Sequence, residues 1–233
     1  MKKWILGVCL LLGQTSMWAK VKLPEILSDN MVLQQQTQVC LWGEAKINAK
    51  IIICPSWDNK EYAVTADTNG KWITKIPTPS ASYNIHTISI SDGEEIILKN
   101  ILIGEVWFCS GQSNMEMPLK GFWNCPIAGA NETIATSSKW KAIRVATIEK
   151  NGQLQPANYC KGSWEISNPT NSPDFSATAF NFAMIMNQVL DIPIGIINCS
   201  WGGSMVEGWL PREIVAQYPD IDLNRDIRKE NGH

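Results

Sequence analysis

The sequence predicts an α/β protein, a β-sandwich followed by a parallel α/β domain. Three observations predict it. From Lys20 to about Asn100 the chain is a series of short strand-like runs separated by turn residues, which is how a sandwich reads. From Ile101 onward, apolar runs alternate with a helical pattern, as in a parallel sheet covered by helices. Two of those apolar runs, Ile101–Cys109 and Ile194–Cys199, stop at clusters of small residues. In a parallel sheet such clusters share the carboxyl edge, where ligands bind.

The chain opens with a leader-like segment, residues 1–19. Lys2 and Lys3 supply a positive start, Trp4 to Leu12 an apolar stretch too short for a bilayer, and Ala19 a small residue suited to cleavage. The expectation is therefore a periplasmic or secreted protein, with no membrane association once the leader is removed. Composition is that of a globular chain, 45% hydrophobic and 18% charged, enough for a real core. A formal charge of −2, more negative without Lys2 and Lys3, gives no reason to expect nucleic acid or an anionic membrane as partner. Cys40, Cys54, Cys109, Cys125, Cys160 and Cys199 lie beyond the leader. Disulfides are permitted in an oxidising compartment, but Cys109 and Cys199 end strand-like runs and read as small core residues. No C-x-x-C or paired histidines occur, so neither a metal site nor a cofactor is expected.

In the β domain, residues 20–100, strands are expected at Gln38–Trp42, Lys50–Cys54, Tyr62–Ala66, Lys71–Ile76 and Tyr83–Ser91. Asn69-Gly70 and Asp92-Gly93 are hairpin signals, because glycine accepts positive φ. No convergent polar set stands out, so this domain reads as a structural support, with sugar binding as the alternative.

In the second half, residues 101–233, Ile101–Cys109 reads as a strand buried on both faces. It runs into Ser110-Gly111-Gln112-Ser113-Asn114, a turn able to lift one hydroxyl out of a sheet with backbone N–H groups around it. Met115 stands where a G-x-S-x-G elbow has its second glycine, so an ordinary polar loop with Ser113 as a cap is the alternative. Lys141–Ile148 is the next expected strand. Pro173–Leu190 reads as a helix, capped by Ser172, with Pro173 first and Phe175, Ala179, Phe182, Ala183, Met186 and Leu190 on its apolar face. Asp191-Ile192-Pro193 ends it. Ile194–Cys199 is a further buried strand, Gly202-Gly203 follow it, and Pro211–Tyr218 begins a helix.

Three stretches resemble the sialate O-acetylesterase family, within the SGNH-hydrolase group of serine esterases. GEVWFCSGQSNMEMPL, Gly104–Leu119, is similar to its nucleophile block; PIGIINCSWGGSMVEGW, Pro193–Trp209, to its second block; and SDNMVLQ, Ser28–Gln34, to the opening of its N-terminal β domain. The resemblance implies an SGNH-like α/β/α domain in the second half. It makes Ser113 the nucleophile and sets Gly202 and Gly203 at the oxyanion hole, with Gln112 and Asn114 orienting the loop or binding the sugar. The substrate implied is an acetylated sugar, sialic acid or alternatively acetylated xylan or pectin. Trp201, Trp209 and Trp123 flank the motifs and suit stacking on a sugar ring or core packing. Backbone N–H groups of Ser113 and of Gly202 or Gly203 are the candidate oxyanion donors.

A serine hydroxyl needs a base, and the chain has only His86, inside the β domain, and His233, its last residue. The family draws its base from an Asp-x-x-His block downstream and carries a Gln-Gly-Glu block between; neither is in this sequence. The expectation is an N-terminal fragment, truncated within the esterase domain and inactive or nearly so alone. The competing expectation is a non-catalytic carbohydrate-binding or scaffold protein.

Overall fold

The computed structural model describes residues 20–153, 157 and 159–221. The expected leader and His233 lie outside the described residues.

In chain order the strands are β1 (Val32–Gln34), β2 (Gln38–Glu44), β3 (Lys50–Pro55), β4 (Tyr62–Thr65), β5 (Lys71–Pro77), β6 (Ser82–Ser91), β7 (Glu95–Gly111), β8 (Ile143–Thr147), β9 (Trp164–Ile166) and β10 (Ile194–Ser200). The helices are α1 (Ser113–Glu116), α2 (Ala130–Thr136), α3 (Ala177–Leu190) and α4 (Arg212–Val215). One mixed sheet runs β4-β3-β6-β7-β10-β8-β9, with β1 added alongside β7, and β2 and β5 form a separate antiparallel pair. No helix among the described residues is long and apolar enough to cross a membrane.

The pair β2–β5 closes over one face of the large sheet. Leu41, Trp72 and Ile76 from the pair meet Ile51, Ile53, Ile88, Ile90 and Ile101 from the sheet in one buried cluster. Alternation explains it: Lys50 to Pro55 reads exposed, buried, half-buried, buried, half-buried, buried along β3, one face in and one face out. Of the two glycine turns, Asp92-Gly93 joins a true hairpin, β6 to β7, with Ser91 opposite Glu95. Asn69-Gly70 does not. It links β4, which pairs with β3, to β5, which pairs with β2, so the chain changes sheets there. The Asp67 carboxylate accepts the Asn69 and Lys71 N–H groups and builds the turn, while the strands on either side find partners elsewhere.

Strand β7 connects the two halves. Its first part pairs antiparallel with β6, up to Ile103 opposite Ser82. Leu102–Gly104 pairs parallel with β1, and Glu105–Gly111 then pairs parallel with β10. Gly104 marks the exchange of partners. A Cβ there would stand 2.0 Å from the carbonyl oxygen of Pro193, so no larger residue fits. The Gln34 side chain bridges the same junction, accepting the Val106 N–H at 2.8 Å. Positions 100 and 101 thus lie inside one continuous strand. Burial departs from the two-faced expectation: Ile101–Gly104 is buried, but Trp107 is 40% and Phe108 66% exposed, where β7 beyond Gly104 pairs with β10 alone among the described strands. Cys109 and Cys199 are half-buried rather than core.

β8 and β10 run parallel, joined through α3, whose Ala177, Ala179, Phe180 and Ala183 pack on Ile143, Val145, Ile194 and Ile196. The helix starts later than Ser172-Pro173 suggests. Those two residues and Asp174 form a single 3₁₀ turn, and Ser176 is the cap, accepting the Ala179 N–H. Phe175 is buried outside the helix, and Phe180 takes the central inward position, which turns Leu190 outward. Arg144 of β8 is buried, its guanidinium donating to the carbonyls of Asn30 and Asn100 and to Asn100 Oδ1. Burial lowers its pKa to about 10, which leaves it charged at neutral pH.

Candidate active site

β7 ends at Gly111, and Ser113 is the first residue of the one-turn helix α1. Ser113 is exposed, as are Gln112 and Asn114. The turn closes on itself through Glu116 N–H to Gln112 O and Met117 N–H to Ser113 O, both 2.9 Å. Three contacts clamp it to the start of α3. Ala177 N–H donates to Met117 O at 2.8 Å, Thr178 Oγ1 donates to Asn114 O at 3.0 Å, and Pro118 bridges to Ser176. Met115 packs against the core under α3. The Ser113 hydroxyl therefore stands on a backbone held from both sides.

The segment after β10 is fastened to the same turn. Trp201 N–H donates to Gly111 O at 2.9 Å, and the Gln112 amide donates to Ser204 O. Ser204 Oγ donates to Trp201 O at 2.6 Å and accepts Trp209 Nε1–H at 2.8 Å. Gly202 consequently lies against Ser113: a Cβ on Gly202 would be 3.7 Å from Ser113 Cα. The two small-residue clusters meet at one sheet edge, as the strand order requires. Gln112 has a defined part, tying the loop. The Asn114 side chain is exposed and has no hydrogen bond among the described residues. Trp201 and Trp209 are 40% and 38% exposed, and Trp123 is 90% exposed.

Glu116 was not singled out by sequence reasoning. It lies on the inner side of α1, its Oε1 accepting Lys150 Nζ at 2.5 Å and its Oε2 accepting the Gly202 N–H. The Lys150 hydrogen bond chiefly, with the Gly202 N–H, holds this carboxyl below the usual carboxylate range against the opposing effect of desolvation. Lys150 Nζ is also 5.9 Å from the centre of a Trp201 ring. With Gly202 so engaged, the N–H of Gly203 remains: that residue is exposed, has φ +76°, and makes no backbone hydrogen bond to a described residue. Position could have pointed to Glu116, since residues three apart share one side of a helix. Nothing local marks Lys150.

His86 is not brought here. It lies on β6 opposite Ile101, against Trp57 (rings 5.7 Å apart, edge to face) and Ser56, and burial lowers its pKa. Ile101 to Gly111 is roughly 30 Å of strand. Among the described residues no group of three His, Cys, Asp or Glu side chains is arranged to hold a metal ion.

No protein-family model matches the chain. It is 24% identical over 208 residues to the sialate O-acetylesterase of Mus musculus, covering 81% of this chain and 37% of that protein. It is 30% identical over 120 residues to the human sialate O-acetylesterase, covering 47% of this chain and 22% of that one. The crystal structure of a carbohydrate acetylesterase from Xanthomonas citri superposes with a TM-score of 0.77 at 30% identity, over 85% of this chain and 44% of that one. The chain thus spans less than half the length of each of these relatives.

Proposed function

Because this chain belongs to the sialate O-acetylesterase family, we propose that it carries the nucleophile and part of the oxyanion site of a serine esterase that removes O-acetyl groups from sialic acid or another acetylated sugar. The observation that supports this reading best is the approach of Gly202 to Ser113, which joins two separate motifs into one candidate site.

In the proposed reaction Ser113 Oγ attacks the acetyl carbonyl carbon while its proton passes to a base. The carbonyl oxygen becomes an oxyanion facing the backbone N–H groups of Ser113 and Gly203. Collapse releases the sugar hydroxyl, which takes the proton back, and leaves acetyl-Ser113. Water, deprotonated by the same base, then attacks the acyl carbon and acetate leaves. An oxyanion donor of this kind is worth about 100-fold or more in rate. The clamping of α1 to α3, and of the end of β7 to Trp201, suits this chemistry, because preorganised donors need not reorient as charge develops.

His86 is too remote to be the base, so in this reading the base is a histidine outside the described residues, and export depends on the leader, residues 1–19. The exposed rings of Trp201 and Trp209 suit the apolar face of a sugar beside Ser113.

The test is acetate release from O-acetylated sialic acid, acetylated xylan and acetylated pectin, using the complete gene product and the 233-residue chain side by side. The complete product is expected to turn over one of the three and lose that activity with Ser113→Ala, while the 233-residue chain gives only trace turnover. Release that survives Ser113→Ala would remove the serine mechanism. The substrate with the highest kcat/KM identifies the sugar.

A further inference from the structure

The Glu116 carboxylate joins loops from three strand ends. It lies on α1 after β7, it accepts Lys150 Nζ from the segment after β8, and it accepts the Gly202 N–H from the segment after β10. β10 lies between β7 and β8, all three parallel, so these loops emerge at one edge. The fit is close. A Cβ on Gly202 would fall 2.8 Å from Glu116 Oε2, so glycine at this position lets the carboxylate reach the backbone.

A carboxylate beside a site where an oxyanion forms raises an electrostatic problem. Two like charges that close oppose each other strongly in the weakly screened surroundings of a protein site. Lys150 answers it: its ammonium at 2.5 Å makes the pair neutral overall, so the carboxylate can act as a tether without repelling the developing charge. By taking the Gly202 N–H, Glu116 also fixes the Trp201–Gly202 peptide, one residue before Gly203, whose own N–H is left without a described hydrogen-bond partner.

We propose that Glu116 is a positioning residue: its carboxylate, neutralised by Lys150, pins Gly202 so that the Gly203 N–H, rather than that of Gly202, faces the acetyl oxyanion. The proposal rests on the acetylesterase reading for its catalytic consequence, but the tether itself is a physical contact that can be read without activity.

The experiment compares Glu116→Ala, Glu116→Gln and Lys150→Met with the wild type in the complete gene product, by amide hydrogen exchange and by acetate release. Glu116→Ala is expected to speed exchange in the 201–204 segment by about tenfold, the loss of one net hydrogen bond, while 194–200 stays as protected as before. It is expected to lower kcat by roughly 100-fold, the effect of losing one oxyanion donor, with KM nearly unchanged. Glu116→Gln keeps an oxygen for the Gly202 N–H, so it retains the exchange protection and restores most of kcat; it also serves if the alanine variant does not fold. Lys150→Met leaves the carboxylate unneutralised and lowers kcat while KM holds. Unchanged exchange at 201–204 in Glu116→Ala overturns the proposal, as does a kcat equal to wild type despite faster exchange. If the wild type releases no acetate, the acetylesterase reading fails, and the exchange result still decides whether Glu116 holds the loop.

Discussion

The two ends of β7 lie in different surroundings, although one strand spans both. From Glu95 to Ile103 it is paired on one edge with β6, and at Leu102–Gly104 also with β1, and Ile101, Leu102 and Ile103 are buried. From Glu105 to Gly111 it is paired with β10 alone, Trp107 is partly exposed and Phe108 is largely open. The first half is the frame of the sandwich. The second half is a bracket that holds Ser113 at its tip. A rigid element that is stabilised at one end and used at the other can tolerate an exposed, chemically committed terminus, because its stability comes from burial elsewhere.

The sharpest way to break this comparison is at the tip. Ser113→Ala is expected to cost about 1000-fold or more in acetate release, as loss of a nucleophile does elsewhere, while the thermal midpoint changes by no more than a surface substitution would. A large fall in that midpoint would mean the tip is part of the frame. Ile101→Ala tests the other end. Ile101 is fully buried, so the change is expected to cost about 2–5 kcal/mol in chemical denaturation. Gly202→Ala follows, since its methyl group would displace Glu116; roughly 10- to 100-fold loss in kcat is expected with modest loss of stability.

Acidification sharpens the contrast further. The Glu116 pKa is lowered in the folded state, so its ionised form adds stability above the ordinary carboxylate range. That increment disappears as pH falls through the lowered value. Thermal midpoints of wild type and Glu116→Gln are therefore expected to differ at neutral pH and to converge in acid. The smallest effect is expected at Phe108, 66% exposed on the same strand as Ile101: Phe108→Ser is expected to change stability by about 0.5 kcal/mol or less. A loss comparable to that of Ile101→Ala would show that β7 is one uniform core element after all.

Much of this was legible residue by residue. The strands β2, β3, β5 and β6 fall within two residues of the runs read for them, and the Asp92-Gly93 hairpin is where turn chemistry places it. Ser113 and the Gly202-Gly203 pair were visible as small-residue clusters at strand ends, and the chain brings them together. Three features were hidden. Asn69-Gly70 looks like a hairpin because local turn chemistry cannot tell whether two strands return to each other or part for different sheets. The start of α3 moved from Ser172 to Ser176 because both serines suit a cap, and the burial of Phe175 decided between them. Glu116 was hidden because a lone acidic residue acquires meaning only from the partners that folding supplies.

By itself, then, the sequence determined the local conformations: which runs are strands and where the turns fall. These depend on side-chain period and on the φ preferences of a few residues, both written within a few positions of each other. Only the tertiary structure decided that β7 serves two pairings, that Arg144 is buried against Asn30 and Asn100, and that Glu116 meets Lys150 and Gly202. Such contacts join residues far apart along the chain, and their geometry is set by how whole elements pack, which no local pattern contains.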